Sequence, residues 1–303
     1  MQIFRILILI ILIVSIFNPI NAECQKNKEL DSWTTGILIP LYHSPKPDVY
    51  TDPYYNKILE LKKKYPSVPV ILVLNIDNGP GSYNEIPDFR FTQLIRRMHG
   101  SNIKVIGYVH TLQNREVLRG LGDLSIKPIS EWGVLNDMYL WKNYYPEIDG
   151  LFFDEMLWDP QPANVNYYAR LTYQAHDLGL CTVVGNPGTN QHPKYFEARA
   201  ADIIVVHENK GYPNIEEMKS NFRGHHIDYS PLTRAALIHS EKEIDYTQLL
   251  ELKKYVGYIY ITHTVYVNKD TNVWEPLSNH LEKLFAFLAT PIPFLEKQIN
   301  EKK

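Results

Sequence analysis

From residue 37 onward the sequence alternates eight times between a short apolar, β-rich run and a longer segment of helical character, and a chain with that rhythm has few ways to bury its sheet. The short runs fall at 37–42, 70–75, 104–110, 150–154, 182–186, 203–208, 235–239 and 257–262. They are nearly unbroken Ile, Leu, Val and Phe, as parallel strands covered on both faces are. Between them lie apolar helical stripes: Ile58, Leu59 and Leu61; Leu94, Ile95 and Met98; and the stretches 164–178, 216–222, 246–255 and 280–288. Eight such units predict an α/β fold, a single (β/α)8 TIM-like barrel over 37–290. An open, doubly wound sheet that bound a dinucleotide would carry Gly-x-Gly-x-x-Gly after its first strand. Here that strand exits through Pro40-Leu41-Tyr42-His43-Ser44-Pro45 instead.

The ends of the chain read differently. An apolar run from Ile6 to Val14 follows Arg5 and leads to Ile20-Asn21-Ala22, the outline of a signal peptide over 1–22, too short to cross a bilayer as an anchor. Residues 23–36 form a lead-in and 291–303 a polar tail. The whole chain carries a formal charge of −3, which the loss of Arg5 makes one unit more negative, so neither nucleic acid nor an anionic membrane is an expected partner. The two cysteines, Cys24 and Cys181, make no disulfide framework, and the sequence leaves their pairing open. The reading is of a secreted, extracellular or cell-wall protein without stable membrane insertion once the leader is removed.

In a barrel of this kind the loops at the carboxyl ends of the strands build the active site. Those exits carry Tyr42 and His43, Asn75, Tyr108 and His110, Asp154 and Glu155, Asn186, Glu208, His239, and Thr262. Asp154 and Glu155 emerge directly from Gly150-Leu151-Phe152-Phe153, where an unpaired charge is costly. In a strand, successive side chains point to opposite faces, so the two cannot do the same work. Glu208 repeats the arrangement two strands on, after Ile203-Ile204-Val205-Val206-His207. Glycoside hydrolysis needs two carboxyls about one bond, and strand ends four and six can supply them. Tyr83, Trp158, Tyr167, Tyr212 and Trp274 add aromatic rings near the exits.

Ile39-Pro40-Leu41-Tyr42, Asn75-Ile76-Asp77-Asn78-Gly79-Pro80-Gly81, Gly107-Tyr108-Val109, Asp149 through Glu155, and Asn186-Pro187-Gly188 follow one another in order. Together they resemble the spherulin-4 (spherulation-specific) family, over about residues 37–260. The resemblance, to a family that includes glycoside hydrolase family 135, implies a (β/α)8 barrel. It also implies an endo-acting hydrolase of α-1,4-linked galactosamine and N-acetylgalactosamine polymers such as galactosaminogalactan. The family's fourth-strand acidic pair falls on Asp154 and Glu155 and its sixth-strand acid on Glu208. Where the family has an aromatic or apolar residue before that last acid, this chain has His207.

The expected roles are Asp154 as nucleophile, Glu208 as general acid/base and Glu155 as a supporting carboxylate. Tyr42, His43, Asn75, Tyr108, His110, Trp158, Asn186, Tyr212, His239 and Thr262 are the expected substrate-binding residues. No cofactor and no metal are expected. Two rival readings are a metal-dependent polysaccharide deacetylase, disfavoured because no His-x-x-x-His pair occurs, and a catalytically silent wall or spore-coat protein that binds glycan without cutting it.

Overall fold

A computed structural model describes Cys24 and residues 34–81, 86–112, 127–220, 228–268 and 271–291. The expected leader 1–22 lies outside the described residues, as do Tyr83, the lead-in apart from Cys24 and 34–36, residues 221–222 of one expected helix, and the tail beyond Pro291.

Eight parallel strands form one sheet in sequential order. They are β1 Ile37–Pro40, β2 Val70–Leu74, β3 Lys104–His110, β4 Gly150–Asp154, β5 Thr182–Gly185, β6 Ile203–Lys210, β7 Arg234–His239 and β8 Tyr258–Ile261. The sheet closes through Gly36, whose N–H donates to the Gly257 carbonyl at 2.8 Å while its own carbonyl accepts from Ile259 N–H at 3.0 Å. The connecting helices are α1 Pro53–Lys64, α2 Phe89–His99, α3 Glu131–Tyr144, α4 Pro162–Asp177, α5 Pro193–Glu197, α6 Ile215–Ser220, α7 Tyr246–Leu252 and α8 Leu281–Ala289. The expected (β/α)8 barrel is therefore the observed one. Every residue of β1, β2 and β5 is buried, which is why these segments read as unbroken apolar runs with no alternation.

Helix starts follow ordinary capping chemistry. Asp52 accepts from the amides of Tyr54 and Tyr55, Asp88 from Arg90, and Asp245 from Thr247 and Gln248. On the outside of the barrel, α3 lies so close to β3 that a Cβ on Gly107 would stand 2.4 Å from the Trp141 ring. Trp141 Nε1 donates to the Tyr108 carbonyl at 2.7 Å, locking that contact.

The pole where strands enter carries the same device twice. His99, at the end of α2, meets Asp149 Oδ2 at 2.7 Å, and that oxygen accepts from Val105 N–H at 2.6 Å. His176 in α4 meets Asp202 Oδ2 at 2.8 Å, and that oxygen accepts from Val183 N–H at 2.9 Å. In both cases the residue before one strand is tied to the preceding strand and to the helix between earlier strands. Cys24 and Cys181, whose pairing the sequence left open, form a disulfide with Cα atoms 5.0 Å apart that spans 157 residues. It fastens the lead-in beside the start of β5, at the same pole.

Candidate active site

Laterally paired residues project to the same face of a sheet, so the register identifies the inner face. Tyr108 pairs with Phe152 and His110 with Asp154, while Gly107, on the other parity, meets α3. Phe152 pairs with Val184 and Val184 with Ile203, so Asp154, Asn186 and Val205 continue the inner set. Strict alternation along β6 would then turn His207 inward and Glu208 outward. A register shift between Val205 and His207 reverses this: Val205 lies opposite Ala235 but Glu208 lies opposite Leu237, on the same parity. The β-bulge, one extra residue in β6, therefore turns Glu208 into the barrel mouth.

The two acids meet there. Asn186 Nδ2 donates to Asp154 Oδ1 and to Glu208 Oε2, each at 2.7 Å. Those two oxygens are thus no farther apart than about 5.4 Å, twice that length. Tyr108 donates its hydroxyl to Asp154 Oδ2 at 2.8 Å, and Trp274 Nε1 donates to Glu208 Oε1 at 2.8 Å. Burial, reinforced by the neighbouring Asp154 charge, pushes the Glu208 carboxyl up to about 7. Burial also raises Asp154, while Tyr108, Asn186, the Glu155 amide and the charge of His110 pull it back. The phenols of Tyr42 and Tyr108 are held well above their ordinary range, chiefly by burial and next by the Asp154 charge.

Glu155 takes a different course. Its φ of +55° places it in the left-handed region, a conformation costly for residues other than glycine and often concentrated at functional sites. The turn lets Met156 N–H donate to the Asn186 carbonyl at 2.8 Å. The Glu155 side chain is 50% exposed, with its Oε2 3.6 Å from His110 Nδ1. Thr111 fixes the same exit by donating its hydroxyl to the Asp154 carbonyl at 2.7 Å.

The remaining expected residues divide. Tyr42 packs edge-on to Tyr108 at 5.5 Å between ring centres, and His239 lies edge-on to Trp274 at 6.1 Å. His239 also shares a 2.8 Å hydrogen bond with Ser240 Oγ. Trp158, 47% exposed, occupies the loop after β4. Asn75 Oδ1 accepts from Gly79 N–H at 3.2 Å, shaping the loop after β2. Thr262 is buried and bonded to Thr264 Oγ1 at 3.2 Å. His43 and Tyr212 serve helix starts: His43 Nε2 bonds to the cap residue Asp52 at 2.9 Å, and the Tyr212 hydroxyl accepts from Asp245 N–H at 3.1 Å. Tyr167, named among the rim aromatics, donates its hydroxyl to the Ile129 carbonyl at 2.7 Å.

Two residues join the site that sequence reasoning did not place in it. Trp274 was legible as a rim aromatic, but its bond to Glu208 joins residues 66 apart in sequence. Asp137 of α3 lies behind the loop after β2, where a Cβ on Gly79 would meet its Oδ2 at 3.6 Å. Burial, offset by the charge of His110, pushes it up to about 6. Among the described residues no group of three or more His, Cys, Asp or Glu is arranged to hold a metal ion. No helix among them is long and apolar enough to cross a membrane.

A closed eight-stranded barrel with half-buried carboxyls at the ends of strands four and six has the architecture on which glycoside hydrolases are built. The chain belongs to the spherulation-specific family 4, whose model matches residues 36–288. Spherulin-4 of Physarum polycephalum is 24% identical over 187 residues, 61% of this chain and 47% of that protein, so the match spans about half the length of that relative. The solved structure of Aspergillus clavatus Sph3 in complex with GalNAc superposes with a TM-score of 0.64 at 22% identity, covering 85% of this chain and 98% of that one. The α-amylase of Geobacillus thermoleovorans, complexed with acarbose, gives 0.51 at 11% identity, covering 88% and 80%. Both likenesses are of fold.

Proposed function

We propose that this protein is a secreted, endo-acting glycoside hydrolase cleaving α-1,4-linked galactosamine and N-acetylgalactosamine polysaccharide, with Asp154 as nucleophile and Glu208 as general acid/base. The observation that carries the reading is the pair of half-buried carboxyls held by one amide nitrogen at the mouth of the barrel. Two of their oxygens lie within about 5.4 Å of each other, short of the roughly 6.5–9.5 Å carboxyl spacing that leaves room for an attacking water, which favours a double displacement. A carboxyl near 7 keeps a proton available at neutral pH, which the acid step requires.

In the first step an Asp154 oxygen attacks the anomeric carbon while Glu208 gives its proton to the departing glycosidic oxygen, leaving a glycosyl ester on Asp154. In the second, Glu208 takes a proton from water, which attacks the same carbon and releases Asp154. Tyr108 steadies the Asp154 charge before the attack and again as the ester is released. Glu155, half exposed beside the mouth, supports the reading as a contact for a sugar hydroxyl or for the ammonium group of a deacetylated unit. The GalNAc bound to the structurally similar Sph3 is consistent with this substrate class. Secretion draws support from the leader expected over 1–22 and from the Cys24–Cys181 disulfide, a bond that persists in oxidising compartments.

The deciding experiment incubates the protein with defined α-1,4 galactosamine and N-acetylgalactosamine oligomers and identifies the products by mass. Internal cleavage that disappears in Glu208→Gln is the expected result. Binding of the oligomers with no new reducing ends would replace this reading with that of a glycan-binding protein, and release of acetate alone with that of a deacetylase.

A further inference from the structure

The donor nitrogen of Asn186 is shared between the two acids, whereas the Trp274 indole belongs to one of them. From that difference we propose that Asn186 is a positioning residue coupling the protonation of Asp154 to that of Glu208, and that Trp274 is a second positioning residue acting on Glu208 alone. The proposal rests on the roles assigned to the two carboxyls above.

An amide nitrogen carries two hydrogens and accepts nothing, so in this position it favours negative charge on both partners at once. Its orientation is fixed. Asn186 Oδ1 accepts from Gly188 N–H at 3.1 Å, and Gly188 adopts a φ of +64° that a side chain would strain. Turning the amide over would break that bond and set its oxygen against two carboxyls. Loss of the proton from Glu208 therefore strengthens its bond to Asn186 while the charge itself raises Asp154, so one titration is felt at the other group.

The indole works differently. It donates to the Glu208 oxygen that Asn186 does not touch, and its ring meets Tyr260 and His239 rather than Asp154. Facing Glu208 are Asp154, the Tyr42 and Tyr108 phenols and, through the indole, His239. His207 turns to the Gly211 carbonyl, and Asp154 faces His110 and Glu155 as well. Burial drives both carboxyls upward, and these donors oppose it.

Two measurements test the pair of roles. The first is tryptophan fluorescence against pH, taken as the difference between the wild type and Trp274→Phe, because a protonated carboxyl quenches an adjacent indole. A step with midpoint near 7 is expected. It should vanish in Glu208→Gln and rise by about one unit, a tenfold gain in proton affinity, in Asn186→Ala. The second is kcat/KM against pH on the oligomers. Trp274→Phe should move the basic limb upward and leave the acidic limb in place, whereas Asn186→Ala should move both.

If both variants lower the rate with neither limb displaced, the residues serve packing alone and the proposal fails. It fails equally if the fluorescence step survives Glu208→Gln. A wild type without turnover that still shows the expected step and its shifts would sustain the coupling while ending the hydrolase reading.

Discussion

Glu208 sits opposite Leu237 in the ladder between β6 and β7, one place out of the alternation that Val205 sets opposite Ala235. The displaced residue is His207, which pairs with Ala236 and whose Nε2 donates to the Gly211 carbonyl of the turn at 2.8 Å. A carbonyl only accepts, so Nε2 carries the hydrogen. Burial keeps this imidazole below its ordinary value, and hence neutral at pH 7. His207→Leu should therefore leave both limbs of the pH–rate profile where they are. It should cost about 1 kcal/mol of stability through the lost hydrogen bond, measurable by urea unfolding. Movement of either limb would place His207 in electrical contact with the acids.

Glu208 also sets a pH dependence of stability. Unfolded, its carboxyl ionises in the ordinary range near ~4.3, and folded at about 7. Between those values the folded chain holds a proton that the unfolded chain has lost, so stability is retained at low pH and falls as pH rises toward and through 7. Glu208→Gln is free of that loss. At pH 8 it should be the more stable protein, by about 1–3 kcal/mol, and its advantage should shrink as the pH drops toward 5. A constant difference across that range in parallel denaturation curves would contradict the buried charge.

The disulfide lies at the pole where strands enter, away from the acids. Cys24→Ser or thiol reduction should lower stability by about 2–5 kcal/mol, given the long loop it closes, with turnover at 25 °C unchanged. A thermal melt with and without reductant checks the first part, and a rate assay the second.

Gly107 offers a packing test. A methyl group there would meet the Trp141 ring far inside contact distance, so Gly107→Ala should cost about 1–3 kcal/mol. Because Trp141 also holds the Tyr108 carbonyl, the same change should weaken the Tyr108 bond to Asp154 and lower kcat more than the loss of stability explains. An unaffected kcat would separate the outer packing from the site.

Much of this was written in the linear order of residues. All eight strands lie where apolar runs covered on both faces put them, with ends shifted by no more than two residues, because burial on two sides leaves little choice of side chain. Helix α3 escaped because its apolar residues fall all around it. Trp132 and Tyr139 are exposed while Val134 and Trp141 are buried, so no single stripe stands out. Asp137 was hidden with it. The acids at strands four and six were legible as costly charges at the ends of apolar runs, whereas the bulge that aims Glu208 leaves no mark in composition. Nor does any local signal reveal that Trp274, in the loop after β8, closes over β6.

The left-handed backbone at Glu155 governs how that carboxylate can be studied. Asparagine and glycine tolerate the conformation, whereas alanine and, more severely, valine resist it. Glutamate already bears the Cβ penalty there, so Glu155→Ala removes the carboxylate and its stem without adding strain, whereas Glu155→Val would disturb the bend as well. Glu155→Gln removes the charge at unchanged backbone cost and Glu155→Asn removes it while easing the bend, so a loss shared by both reports what the carboxylate itself contributes.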